Sequence, residues 1–266
     1  MFTVHTFASG SEGNCLLLTA GDVHLLVDAG ISTRRICASL KQLGLSLDDM
    51  DAILLTHEHS DHISGLATLI KHHTVPLYAS PATARQLCYR IAGIDRQLHS
   101  FAPGERLEIG EVTVTPFTTS HDAHGSQDYR IDYQGAAVGI LTDTGCVTDE
   151  AADALQGVGL LILESNHDIE WLRSGPYPYS LKQRILGDEG HLSNDAAAAF
   201  AVEMARQGTE EIVLAHLSRE NNTPARALET VRMALDCAGF EKVRLTVAPR
   251  GEVSPCYQVE VAVCRK

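Results

Sequence analysis

The sequence predicts an α/β fold, a sandwich of β-sheets with helices on the outside. Three observations predict it. Strand-like and helix-like stretches alternate through both halves of the chain, several apolar stretches end on a histidine or an aspartate, and no low-complexity linker, charge block or short-period repeat breaks the pattern. A chain of 266 residues can hold one large domain or two small ones, and the unbroken alternation favours a single domain over residues 1–266.

The first elements read as short strands at 2–8, 15–19 and 24–27, rich in β-branched and apolar residues and separated by glycine-containing turns. A helix is expected over 33–43, with Ser32 as its cap and Gly44 as its stop. Residues 51–56 read as a buried strand (Ala52, Ile53, Leu54, Leu55) that runs into a histidine cluster. Residues 62–72 place Ile63, Leu66, Leu69 and Ile70 on one helical side, and a further helix follows over 81–91 with Pro81 at the tolerated first position. Strands resume at 112–118, 129–133, 137–141 and 160–163. Residues 168–190 contain Trp171 and two prolines and are expected to form a loop with a single helical turn. Helices over 194–207 and 224–238 flank a strand at 211–215, and strands at 243–247 and 257–263 close the chain.

Composition excludes several classes. Hydrophobic residues at 44% and charged residues at 21% are ordinary for a globular protein. The first residues lack a basic stretch followed by an apolar one, and no apolar run approaches the roughly 18 residues of a membrane span, so a cytoplasmic protein without a membrane partner is expected. Seven cysteines without a CxxC pair suit neither a disulfide framework nor a zinc knuckle, and most are expected to be small buried hydrophobes. A net charge of −13 argues against a coat protein for nucleic acid. It leaves room for a nuclease, because two bound divalent ions add about four positive charges at the site itself.

The chemistry is concentrated in Thr56-His57-Glu58-His59-Ser60-Asp61-His62, where His57, His59, Asp61 and His62 fall within six residues. Imidazole nitrogen and carboxylate oxygen suit zinc and also manganese or iron. A strand-to-helix loop with this spacing can aim His57 and His59 at one ion and Asp61 and His62 at a second. His121, Asp143 and His216 each lie at or just past the end of an apolar run, the placement expected if all converge on one rim.

This set resembles the ligand set of the metallo-β-lactamase superfamily. The resemblance implies an αββα sandwich of two mixed β-sheets with helices on the outer faces. It also implies two metal ions, with His57, His59 and His121 on one, Asp61, His62 and His216 on the other, and Asp143 bridging. Asp28, in Leu26-Val27-Asp28-Ala29-Gly30, matches the motif whose carboxylate supports the site without ligating. Asp143 stands where class B β-lactamases commonly carry cysteine, which argues against antibiotic hydrolysis. Only 73 residues separate Asp143 from His216, too few for the β-CASP cap domain that processing nucleases often insert there.

Four further segments resemble the YycJ (WalJ) family nearly end to end: Ala8-Ser9-Gly10-Ser11-Glu12-Gly13-Asn14-Cys15, Glu164-Ser165-Asn166-His167-Asp168, Gly190-His191-Leu192-Ser193-Asn194, and the run from Ala215 to Asn222. Members of that family are described as exonucleases or ribonucleases, which implies a phosphodiesterase acting on DNA or RNA. Two ions about 3.5 to 4 Å apart can activate a bridging hydroxide for that reaction. The expected catalytic residues are Asp61, His191 and His167, with His191 foremost as the group that contacts a phosphate oxygen or protonates the leaving group. Substrate contacts are expected from Ser9, Ser11, Asn14, Asn166, Ser193 and Arg219, with Ser193 also capping the helix that follows. Arg34, Arg35, Arg173 and Arg184 are further scattered cations. A glyoxalase II-like thioesterase or a lactonase is the alternative on the same ions, although no Lys/Arg cluster stands out to hold glutathione carboxylates.

Overall fold

The computed structural model describes residues 1–261, so residues 262–263 of the expected last strand, and Cys264, lie outside the described residues. Two seven-stranded sheets form the centre. The first contains β1 (Phe2–Ala8), β2 (Cys15–Ala20), β3 (Val23–Val27), β4 (Ala52–Leu54), β5 (Leu77–Ala79), β6 (Leu98–Ser100) and the last strand, β14 (Tyr257–Val259), in the order β14-β1-β2-β3-β4-β5-β6. The second contains β7 (Leu107–Ile109), β8 (Val112–Thr118), β9 (Gln127–Tyr133), β10 (Ala136–Leu141), β11 (Leu160–Glu164), β12 (Glu211–Ala215) and β13 (Arg244–Val247), in the order β13-β12-β11-β10-β9-β8-β7. Each sheet is mixed: β3 to β6 run parallel, as do β10 to β13, and the remaining pairs are antiparallel.

Alternation along the strands divides the core into layers. Phe2, Val4, Leu16, Leu18 and Leu25 meet Val114, Tyr129, Ile131, Val138 and Ile162 between the sheets. Leu17, Leu26 and Ile53 point the other way, under α1 (Thr33–Gln42), α3 (Leu66–His72) and α4 (Pro81–Arg90), where Ile36, Leu40, Leu69 and Leu87 cover them. Leu141, Leu161, Leu163 and Leu214 are covered in the same way by α5 (Asp149–Ala154), α8 (Asn194–Arg206) and α9 (Pro224–Cys237). The result is the αββα sandwich. Burial on both faces explains why β10, β11 and β12 are buried at every position rather than alternating.

Several elements differ from the sequence reading. The helix expected over 62–72 is two pieces, α2 (Ser60–Ile63) and α3, broken at Gly65. A Cβ at Gly65 would stand 2.3 Å from the Ile31 carbonyl oxygen, and its amide donates to Ala29 O at 2.8 Å, so the backbones pass too closely for a side chain. Residues 168–190 are not a loop with one turn but two helices, α6 (Ile169–Ser174) and α7 (Tyr179–Leu186). Asp168 caps the first by accepting from the Trp171 amide at 2.8 Å, Pro178 sits at the cap of the second, and Lys182 ties the two by donating to the carbonyls of Arg173 and Gly175. The prolines punctuate helices there rather than forbid them. The strands β5, β6 and β7 are three residues each, too short to show a period, and α5 is announced only by its Thr148 cap.

The expectation for cysteine fails. Among the described residues all six are free, but only Cys15 is buried, while Cys88, Cys237 and Cys256 are exposed. Cys88 and Cys237 lie on the solvent side of α4 and α9, where a small polarisable residue is tolerated without packing. Among the described residues, no helix is long and apolar enough to cross a membrane.

Gly30 marks where the rim is tightest. Its amide donates to Asn14 O at 2.8 Å, the Asn14 amide donates to Asp61 O at 2.7 Å, and a Cβ at Gly30 would lie 1.6 Å from that Asp61 oxygen. Backbone on both sides cannot yield as a side chain could. Gly30→Ala is therefore expected to destabilise the protein by about 3 kcal/mol or more. Urea denaturation checks it, and a loss below about 1 kcal/mol would show that the three loops can separate.

Candidate metal centre

The side chains singled out in the sequence converge at the carboxyl ends of the parallel strands, from both sheets. Asp28 follows β3, His57 follows β4, Asp143 follows β10 and His216 follows β12, while His121 follows β8, which runs in the same direction as β10. Three of these residues hold a left-handed backbone that L side chains avoid: Asp28 at φ 61°, Asp143 at 51° and His216 at 54°. Such strain persists only where the surroundings over-determine it. Here the turn rotates each side chain back over the rim.

Ring and carboxylate atoms gather into overlapping sets whose members lie within 4.8 Å of one another: His57, His59 and His121; Asp61, His62 and His216; and His57, His62 and Asp143. Asp143 touches both of the first two sets, with Oδ2 3.1 Å from His62 Nε2 and Oδ1 3.7 Å from His121 Nε2. These groups could hold metal ions. His59 Nδ1 and His121 Nε2 face each other at 3.2 Å, where a proton on His59 can bridge them and a cation could take its place. Buried His57 Nε2, His216 Nε2 and Asp143 Oδ2 have no aligned hydrogen-bond partner among the described residues. Buried polar atoms are seldom left so without a reason.

Four of the imidazoles have their second nitrogen held by oxygen. His57 Nδ1 meets Thr56 Oγ1 at 3.0 Å, His62 Nδ1 meets Asp28 Oδ2 at 2.7 Å, His121 Nδ1 meets Gly190 O at 3.2 Å and His216 Nδ1 meets Glu164 Oε1 at 2.8 Å. Donation to that oxygen fixes the tautomer and leaves the other nitrogen's lone pair for a metal. Asp28 also accepts from the amide and hydroxyl of Thr56, each at 2.9 Å, so its carboxylate is fully occupied as a support.

Charge favours a cation too. Burial opposes charging of His216, but Asp143, Asp61 and Glu164 outweigh it and lift the imidazole to about 10. Burial likewise opposes His62, yet Asp143 and Asp28 raise it well above its ordinary value. Sites that attract protons to ring nitrogens attract divalent ions to the same lone pairs, releasing the protons.

Glu164, at the end of β11, is the residue that sequence reasoning missed as a functional group. It is fully buried and accepts from His191 Nδ1 and His216 Nδ1, both at 2.8 Å, and from the amides of Thr144 at 3.0 Å and Leu192 at 3.1 Å. Burial raises its carboxyl pKa, but His191 and His216 bring it down to about 2. A glutamate closing the apolar run Leu-Leu-Ile-Leu was the available signal.

The remaining candidates take different positions. His191 lines a cavity of about 180 Å³ beside the cluster, together with Ser11, Asn166, Tyr177, Arg184 and Ser218. His167 is buried, does not line this cavity, and both its ring nitrogens are unpartnered among the described residues; burial lowers its pKa to about 4. Ser9 accepts the His216 amide at 2.8 Å, Asn166 donates to His216 O at 2.9 Å, and Asn14 Nδ2 lies 3.0 Å from His62 Nε2. Ser9 and Asn166 hold the His216 backbone, whereas the Asn14 amide faces the same His62 nitrogen that a metal would take. Ser193 caps α8 through the Ala196 amide. Arg219 is exposed and paired with Glu12 at 2.6 Å. Arg184, on α7, pairs with Asp122 at the mouth of the cavity.

Comparison with known proteins agrees with this fold. Residues 24–217 match the family model described as a β-lactamase superfamily domain. The chain is 39% identical over 234 residues to the exodeoxyribonuclease YycJ of Bacillus anthracis, covering 88% of this chain and 89% of that one. It is 41% identical over 224 residues to the exodeoxyribonuclease WalJ of Streptococcus pneumoniae serotype 2, covering 83% of each. Among solved structures, the metallo-β-lactamase fold protein YhfI of Bacillus subtilis superposes with a TM-score of 0.71 at 22% identity, covering 95% of this chain and 98% of that one, a likeness of fold.

Because Glu164 accepts four donors, an amide in its place would set an NH2 group against at least one of them. Glu164→Gln is expected to weaken divalent-metal affinity by about 10- to 100-fold while the circular-dichroism spectrum stays native. Competition with a chromogenic chelator measures this, and an unchanged affinity would mean that Glu164 does not orient His216.

Proposed function

Since the chain belongs to the metallo-β-lactamase superfamily and, within it, to the YycJ/WalJ family, we propose that it is a metal-dependent exonuclease that trims DNA ends. The observation that carries this reading is a pair of three-residue groups, His57, His59 and His121 and Asp61, His62 and His216, with Asp143 3.1 Å from His62 Nε2 and 3.7 Å from His121 Nε2, beside a cavity with an aromatic ring, a cation and a histidine in its wall. His57, His59 and His121 would hold one ion and Asp61, His62 and His216 the other, with zinc and manganese the metals that suit nitrogen and carboxylate donors. Two ions bound there would supply Lewis-acid polarisation of a phosphate and a water of lowered pKa. The preference for DNA over RNA rests on the names of the two relatives.

The protein's own groups would do the rest. In the cavity beside the donors Tyr177 would offer a face to a base, and Arg184 could reach a phosphate only by sharing its ion pair with Asp122. Glu164 accepts from His191 Nδ1, which turns Nε2 away from the carboxylate; from there it can hand a proton to the leaving oxygen. His191 suits that task better than His167, which burial keeps neutral and away from the cavity. The free cysteines suit the reducing cytoplasm, where such an enzyme would meet its substrate.

Purified protein is expected to bind two divalent ions per chain and to shorten end-labelled single-stranded DNA from one end. Chelation should abolish the reaction, and manganese or zinc should restore it. Asp143→Ala and His59→Ala are each expected to lower turnover by more than about a hundredfold with the fold retained, because the apolar core does not include them. A chromogenic thioester run in parallel tests the glyoxalase-like alternative. Rapid thioester hydrolysis with intact DNA would sink the nuclease reading, and a single ion per chain at saturation would sink the two-ion site.

A further inference from the structure

Arginines line several cavities, and in most of them a carboxylate already holds the cation. Arg184 is bound to Asp122, Arg130 to Asp132 and Arg244 to Glu211. A cavity of about 210 Å³ between the glycine-rich 8–13 loop and Gly251 differs, because its wall contains Arg35 and Arg250. Neither makes an ion pair among the described residues. Arg35 Nη2 donates to Gly251 O at 3.3 Å and Arg250 Nη2 to Ser218 O at 3.5 Å, both neutral backbone oxygens. The one acidic residue in the wall, Glu12, is taken by Arg219 at 2.6 Å. Two guanidiniums without counter-charges thus face one cavity in a chain of net charge −13.

The position of this cavity relative to the donor cluster is informative. The 8–13 loop separates it from the cavity beside the metal residues: Ser11 lines that one, whereas Gly10, Glu12 and Gly13 line this one. Ser9 of the same loop holds the His216 amide, and Ser218, whose carbonyl receives Arg250, lines the first cavity. Gly10, at φ 140°, holds a backbone that L side chains rarely adopt, and a Cβ there would crowd Leu217 O at 3.3 Å while only touching Arg250 Nη1 at 3.7 Å. A chain of phosphates crossing the loop could therefore occupy both cavities at once.

We propose that Arg35 and Arg250 form a second phosphate subsite, holding a backbone phosphate of a single DNA strand at one or more nucleotides from the bond being cut. The proposal rests on the nuclease reading above and adds where the uncut strand lies. Guanidinium suits the role because its planar fork matches two phosphate oxygens, and because it stays charged when partly dried. It also explains how a strongly acidic protein could grip a polyanion, with a short row of local contacts in place of a basic surface.

The test compares substrates of different length. Steady-state kinetics are measured on a dinucleotide, which reaches only the first cavity, and on a single strand of about ten bases, for the wild type, Arg35→Gln/Arg250→Gln and Arg35→Lys/Arg250→Lys. The glutamine pair is expected to raise KM for the longer strand about tenfold and to make its dependence on log[salt] shallower by about one, with the dinucleotide unaffected. The lysine pair should recover most of the lost affinity, which separates charge from packing. A longer-strand KM within about twofold of wild type would overturn the subsite, and so would an equal loss on both substrates, which would mean that the pair supports the fold or the metal residues. If the wild type itself cleaves neither substrate, the nuclease reading fails and the subsite with it, an outcome recognisable without any variant.

Discussion

Buried carboxylates among imidazoles are the constraint on which the rest of the structure depends. Asp28, Asp143 and Glu164 lie in the rim between the sheets with almost no exposure. An unpaired carboxylate in that position would be costly enough to protonate or unfold the site. Asp28 accepts from Thr56 and His62 and Glu164 from two imidazoles and two amides, while Asp143 lies 3.1, 3.7 and 3.4 Å from ring nitrogens of His62, His121 and His216, its Oδ2 without an aligned donor among the described residues. Because the imidazoles are needed by the carboxylates and held by them, neither set can be rearranged alone. That mutual dependence supplies the rigidity which metal ligation requires.

The sheets provide the means of assembling this cluster from distant parts of the sequence. Parallel strands put their carboxyl ends on one edge, and an αββα sandwich brings two such edges together. β3 and β4 contribute Asp28 and the histidine segment from one sheet, while β8, β10, β11 and β12 contribute His121, Asp143, Glu164 and His216 from the other. The left-handed turns at Asp28, Asp143 and His216 are then the local cost of aiming side chains inward from strand ends. Gly30 and Gly65 play the complementary part, letting the loop after β3 lie against the histidine segment with backbone touching backbone.

Much of this was legible in the sequence, for physical reasons that differ from element to element. The long central strands announce themselves because burial on both faces leaves unbroken apolar runs, and α1, α4, α8 and α9 because a cap, an apolar side and a stop coincide. His57, His59, Asp61 and His62 stood out because no packing need explains four such residues together, and His121, Asp143 and His216 because each ends a strand. What stayed hidden depends on contacts remote in sequence. Strands of three residues carry no period, the break at Gly65 is set by the carbonyls of Ala29 and Ile31, and Glu164 is distinguished only by the partners that reach it from residues 144, 191, 192 and 216. The contacts of Ser9 with the His216 amide and of Asn14 with His62 were hidden for the same reason, since a polar loop residue does not reveal in sequence which neighbours it reaches.

Charge distribution connects the fold to the way such a site could be used. A net charge of −13 repels a polyanion at long range, and many of the surface arginines only answer nearby carboxylates: Arg173 with Glu170, Arg219 with Glu12, Arg226 with Asp168 and Arg232 with Asp236. These pairs carry little energy in water and add no field of their own. Attraction at the rim would come from divalent ions, which would reverse the local sign, and from Arg35 and Arg250, which make no ion pair among the described residues. A surface of this kind disfavours lying along a duplex, which presents many phosphates to a repelling face, and favours a strand end that exposes only a few. If the site acts on nucleic acid, this placement of positive charge would by itself favour ends over duplex interiors.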